Sequence, residues 1–218
     1  MIEPIGVLAL FFFLLVAFAV LIFVLEIRAL SYAYRAIGIS PRYVTAVLLL
    51  TLLGSHVNLP LTTMDDSIVA INVGGALIPI LVSLYLFSRA RRRWQMLLAI
   101  AIVTAVVHGL AQVVPGVGIA VPMLIPPLTA TGVALLLAFR EAPSVAYVAG
   151  SLGALIGADL MNLSRITDIG APVVAIGGAG TFDGVFLTGI LAGFLAARIA
   201  PTRRELTIDE RPRSRWAA

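Results

Sequence analysis

The chain has 218 residues, 61% hydrophobic and 12% charged, with fifteen basic and eleven acidic side chains and a net charge of +4. A mean hydropathy of +1.07 excludes an ordinary soluble enzyme and points to an integral membrane protein. Cysteine is absent, which excludes disulfides, thiolate catalysis and Cys-ligated metals; lysine is also absent, which excludes a retinal Schiff base.

At ~20 apolar residues per crossing, the chain has room for about seven spans, an all-α polytopic fold over residues 1–200, followed by a basic tail over 201–218. Span 1 is expected from about Pro4 to Leu25. Met1-Ile2-Glu3 offers no basic n-region, so it reads as an uncleaved anchor. A linker with Arg28, Arg35 and Arg42 among tyrosines leads to span 2, about Tyr43 to Leu61. The turn Met64-Asp65-Asp66-Ser67 carries no positive charge. Span 3, about Ile68 to Phe87, ends at the basic run Arg89-Ala90-Arg91-Arg92-Arg93.

Span 4 is expected from Trp94 to Val114 and span 5 from Ile119 to Phe139, with Pro122, Pro126 and Pro127 in its first half. Arg140-Glu141 separates it from span 6, about Ser144 to Leu163. Span 7 covers about Thr181 to Ile199. Arginine-bearing links alternate with the spans in one way only. The positive-inside rule then places the amino terminus outside and the carboxyl terminus inside a multi-pass protein of the cytoplasmic membrane. The same rule accounts for the positive charge without a nucleic-acid partner.

A shift of 103 residues lays span 2–turn–span 3 over span 6–loop–span 7. Gly54 falls on Gly157, His56 on Asp159, Asp65 on Asp168, and Gly74-Gly75-Ala76 on Gly177-Gly178-Ala179; ten of 47 pairs match without a gap. Four spans separate the copies, an even number, so they would point the same way. This is the parallel-repeat plan, 3+1+3, of some secondary transporters.

Four blocks carry a resemblance: Gly54-Ser55-His56-Val57-Asn58-Leu59-Pro60-Leu61, Asn72-Val73-Gly74-Gly75-Ala76-Leu77-Ile78-Pro79, Gly157-Ala158-Asp159-Leu160, and Gly177-Gly178-Ala179-Gly180-Thr181-Phe182-Asp183-Gly184. They resemble the signature blocks of an uncharacterised prokaryotic integral-membrane family, catalogued as a domain of unknown function. The resemblance covers nearly the whole chain. It implies a polytopic membrane protein and no particular activity.

Ionisable residues at membrane depth are functional candidates by default, since each costs ~2.5–3.5 kcal/mol on insertion scales. His56, His108, Asp159 and Asp183 are expected in one layer toward the outer face, with Asn58, Asn72 and Asn162 at or just above it. Gly74, Gly75, Gly177, Gly178 and Gly180 would open the backbone beside them. The first reading is a carrier of a small solute or ion, without a cofactor, in which Asp159 and Asp183 take protons or cations and the histidines relay. In the plainer account the same groups tie helices together, at ~0.6–2 kcal/mol each.

Two alternatives belong to other classes. Asp159 and Asp183 could share a proton and activate water as an intramembrane aspartyl protease. The glycines before Asp183 are similar to the presenilin-type pattern, but Thr181 and Phe182 intervene, Ala158 stands where that family has tyrosine, and no Pro-Ala-Leu element follows. His56 and His108 with the aspartates could instead hold a metal or a haem, although no spaced ligand motif supports it. Gly153-x-x-x-Gly157 and Gly189-x-x-x-Gly193 would let spans 6 and 7 pack closely or support an oligomer.

Overall fold

The computed structural model describes residues 4–64, 67–116, 118–165, 170–178 and 184–200. The described chain is mostly helical. Its helices are α1 (Pro4–Ala36), α2 (Pro41–Gly54), α3 (Ile78–Arg89), α4 (Arg93–Leu110), α5 (Ile125–Ala138), α6 (Ala142–Ala154) and α7 (Gly184–Ile199). Five short strands interrupt them: β1 (Asn58–Met64), β2 (Ser67–Asn72), β3 (Gln112–Val114), β4 (Gly118–Ala120) and β5 (Val173–Ile176). The all-α expectation is therefore corrected. Spans 2, 3, 4 and 5 each trade part of their expected helix for a strand. The reason is chemical: Ser67-Ile68-Val69-Ala70-Ile71-Asn72 is rich in β-branched residues, and a short apolar run has no periodicity that separates a buried strand from a buried helix.

Proline fixes several helix starts, because it is tolerated in a first turn where no N–H is needed. Pro41 opens α2, Pro126 and Pro127 open α5, and Pro143 opens α6. Span 5 thus begins as a helix at Ile125 and not at Ile119, where β4 pairs antiparallel with β3. A 3₁₀ turn at Phe139–Glu141 joins α5 to α6, which pack against each other, so the chain folds back at Arg140.

Helix α6 is the centre of the molecule. Eleven residues from Ala142 to Ala154 are buried, and its neighbours are α3, α4, α5 and α7. Small residues permit this. A β-carbon on Gly150 would lie 3.1 Å from the Thr188 carbonyl of α7, and one on Gly153 would lie 2.7 Å from the Val103 side chain of α4. The two Gly-xxx-Gly faces have different partners: Gly153 and Gly157 seat α6 on α4, whereas Gly189 and Gly193 seat α7 on α6. Both faces are filled within the chain.

Strands β1, β2 and β5 form one sheet in that order, β1 antiparallel and β5 parallel to β2. Ile68 stands opposite Val173 and Ile71 opposite Ile176. β1 and β2 give this sheet a hairpin, whereas Leu160–Arg165, which the 103-residue shift lays over 57–62, is a 3₁₀ helix and adds no strand. Two described segments are long and apolar enough to cross a membrane, Arg93–Leu110 and Ile125–Arg165, and three shorter apolar helices accompany them. Residues 201–218, expected as a tail, lie outside the described residues.

Candidate functional site

Helix α3 is extended at its start by a π-helical turn, Val73–Leu77. Asn72 organises this junction. Wholly buried, it donates from Nδ2 to the Ser55 carbonyl at 2.8 Å and to Asn58 Oδ1 at 2.9 Å, and its Oδ1 accepts the Gly75 N–H at 2.7 Å. One amide therefore ties the end of α2, the start of β1 and the π-turn together. Gly74 is required for the same close approach, because a β-carbon there would strike the Thr51 carbonyl. This is the hydrogen-bonded tie of the plainer account.

A second π-helical turn, Leu155–Asp159, ends α6. Asp159 is half-buried, and its Oδ2 accepts the Gly177 N–H at 2.7 Å. Asn162, buried one turn further on, donates to the carbonyls of Gly157 and Ala158 at 3.1 and 2.8 Å. Its Nδ2 also lies 3.5 Å from His108 Nδ1 of α4. Asn162 thus stands between His108 of α4 and the π-turn that ends at Asp159.

Two glycine segments meet here. Gly177 and Gly178 adopt φ of 82° and 70°, the left-handed region that glycine enters without steric cost. A β-carbon on Gly75 would strike the Gly177 carbonyl, and one on Gly177 would lie 2.6 Å from the Ala76 nitrogen. Gly75-Ala76 and Gly177 are in direct backbone contact. No sequence argument anticipated this.

A cavity of about 480 Å³ opens beside that contact. Asp159, Gly178, Thr188 of α7, Pro126 of α5, and Val173, Val174 and Ala175 of β5 contribute to its wall. Asp159 is the one carboxylate among the described lining residues. Among the described residues β5 is an edge strand, paired on one side to β2. Thr188 is a lining residue that sequence reading missed; a lone threonine in an apolar helix gives no signal of its own.

The other residues expected in the polar layer lie apart from this cavity or outside the described residues. His56 is exposed, belongs to neither cluster and does not line the cavity. It follows the end of α2 at Gly54, where the expected span would have kept it inside a helix. Asn58 and Asn72 lie with the first junction, away from the cavity wall. Asp183 and Gly180 lie outside the described residues, as do Asp65 and Asp168. Among the described residues no group of three His, Cys, Asp or Glu side chains could hold a metal ion.

Nothing among the curated proteins or the solved structures matches the chain significantly. One family model does, described as a protein of unknown function (DUF1614), over residues 50–195. That range includes all four blocks quoted above; α1 and residues 41–49 of α2 precede it. With more than half of its length matched, and with both junctions and the cavity inside the match, the chain belongs to the DUF1614 family.

Proposed function

We propose that the chain is a multi-pass membrane carrier for a small solute or ion, with Asp159 as the group that meets the cargo. The observation that carries this reading is the cavity of about 480 Å³ walled by Asp159. It lies where α6 breaks into a π-turn and beside the strand β5. Irregular backbone at membrane depth is tolerated where it lines protein or a cavity. The carboxylate, the Thr188 hydroxyl and the strand carbonyls are acceptors, a set that favours a cation or a protonated solute.

Several features support a membrane setting with seven spans. Helix α2, 14 residues and ~21 Å long, falls short of a ~30 Å core, but β1 follows it within four residues and extends its reach. β1 is exposed along its whole length, which suits a sheet at the outer, water-facing surface. The links expected inside supply Arg35, Arg89 and Arg140 to one common cavity, as the positive-inside assignment requires. Leu136, 87% exposed, and Leu84, Leu97 and Leu128 turn apolar side chains outward, as a lipid-facing surface would. The parallel pairing of β2 with β5 agrees with two units pointing the same way.

The absence of cysteine makes the test direct. Thr188→Cys should react with a water-soluble maleimide from either side of sealed, oriented vesicles, and Leu84→Cys should stay unlabelled. Asp159→Asn should abolish proton-driven flux in proteoliposomes loaded with a pH-sensitive dye. Labelling of Thr188→Cys from one side only would refute alternating access and leave a surface pocket.

A further inference from the structure

A second cavity, of about 500 Å³, lies at the other end of α6. The helical path from Ala142 to Asp159 separates the two, ~27 Å at 1.5 Å per residue. Its wall brings together Arg35 from the last turn of α1, Arg89 from the last turn of α3, and Arg140 with Glu141 from the turn between α5 and α6. Gly38 and Pro41 of the α1–α2 link complete that side. Three separate chain segments therefore deliver guanidinium groups to one concave surface.

The charge there is uncompensated by the fold. Glu141 supplies one negative charge against three positive ones, and none of the three arginines has an ion-pair partner among the described residues. Helix dipoles do not settle the balance. The amino-terminal ends of α2 and α6 open on the cavity, but so do the carboxyl-terminal ends of α1 and α3, and each end carries ~0.5 charge of opposite sign. The net field belongs to the side chains. Arg35 donates from Nε to the Ser31 carbonyl at 3.1 Å, and the Arg89 guanidinium lies 4.8 Å from the Tyr85 ring centroid. Each side chain is thus oriented while keeping N–H groups to spare, since a guanidinium has five.

We propose that this cavity binds a phosphate group, carried either by an anionic phospholipid headgroup or by a free phosphate-bearing solute. Planar guanidinium forks match phosphate oxygens in pairs, and converging arginines are the usual means of holding them. Basic pockets between helices on the cytoplasmic side are likewise sites for anionic headgroups. The carrier reading of the Asp159 cavity is not needed for this site, and Asp159→Asn leaves it intact.

The test uses the full chain purified in detergent. Native mass spectrometry reads retention of phosphatidylglycerol against phosphatidylcholine, and a thermal melt reads stabilisation by inorganic phosphate against chloride at equal ionic strength. Arg89→Gln with Arg140→Gln should weaken binding about tenfold or more, the equivalent of ~1.4 kcal/mol. Arg91→Gln with Arg92→Gln, two exposed neighbours that do not line the cavity, should bind as the parent does. If the first pair fails to fold, Arg140→Gln alone carries the test from an exposed turn. Selective retention of phosphatidylglycerol identifies a lipid headgroup. Stabilisation by phosphate without lipid selectivity identifies a free phosphate. Equal loss in both variant pairs, or no preference for either probe, overturns the site.

Discussion

Replacing Gly177 by alanine perturbs its contact with Gly75-Ala76 at one atom. The residue sits at φ 82°, where a side chain costs ~1–2 kcal/mol. The added carbon would lie 2.6 Å from the Ala76 nitrogen and 2.8 Å from the Gly75 carbonyl carbon. Both are backbone atoms that cannot swing aside, and overpacking of this kind costs ~1–3 kcal/mol. The total, ~2–5 kcal/mol, converts to a melting point lower by ~4–20 °C for a chain of this size. Scanning fluorimetry of the purified chain reads it. Gly132→Ala is the matched control: it lies within α5 with nothing within 4 Å of the added carbon, and should gain ~0.5–1 kcal/mol from helix propensity. Gly75→Ala attacks the same contact from the opposite side, so the double variant should lose less than the sum of the singles. A Gly177→Ala protein that melts with the parent would refute the seating of the β5 turn on Gly75-Ala76.

Three other outcomes follow from single contacts. Asn72→Leu should lower stability by ~2 kcal/mol or more, since the Gly75 N–H and the Ser55 carbonyl lose their partner in a buried place; a loss under ~0.5 kcal/mol would show the amide to be dispensable. Asp159→Asn keeps an oxygen for the Gly177 N–H and should melt close to the parent, whereas Asp159→Ala should lose ~1–2 kcal/mol; equal stability of the two would remove the anchoring role, and retained flux in both would remove the cargo role. Gly153→Ala should cost ~1–3 kcal/mol by pushing α6 off Val103, read by the same melt, with an unchanged midpoint counting against the α4–α6 seam.

Legibility differed from element to element. The arginine-bounded ends, the close of α3 at Arg89 and the start of α4 at Arg93, fall within a few residues of the expected ones, because an apolar run that meets charge leaves little freedom; the start of α3 falls ten residues late, where β2 takes the place of helix. Pro122, Pro126 and Pro127 were expected inside a helix that begins at Ile119; the helix begins instead at Ile125, with Pro126 and Pro127 in its first turn. The 103-residue shift lays His56 over Asp159, yet one is exposed and the other lies at a cavity. Matching in sequence could not separate them, because exposure depends on what packs alongside. Asn162 was listed with the polar layer by depth alone, and its hydrogen bonds to the carbonyls of its own helix explain its burial more simply.

From sequence alone came the apolar, mostly helical character of the chain, its place in an uncharacterised family and the grouping of arginines in three links. These rest on composition and charge, which act whatever the neighbours are. Only the tertiary structure decided that β2 and β5 lie side by side, that Gly75 and Gly177 touch, and that Asp159 faces a cavity while Arg35, Arg89 and Arg140 surround another. Those facts join residues about a hundred positions apart. Apolar runs of similar length and composition carry no address for their partners, so the pairing is set by which small residues let which backbones approach.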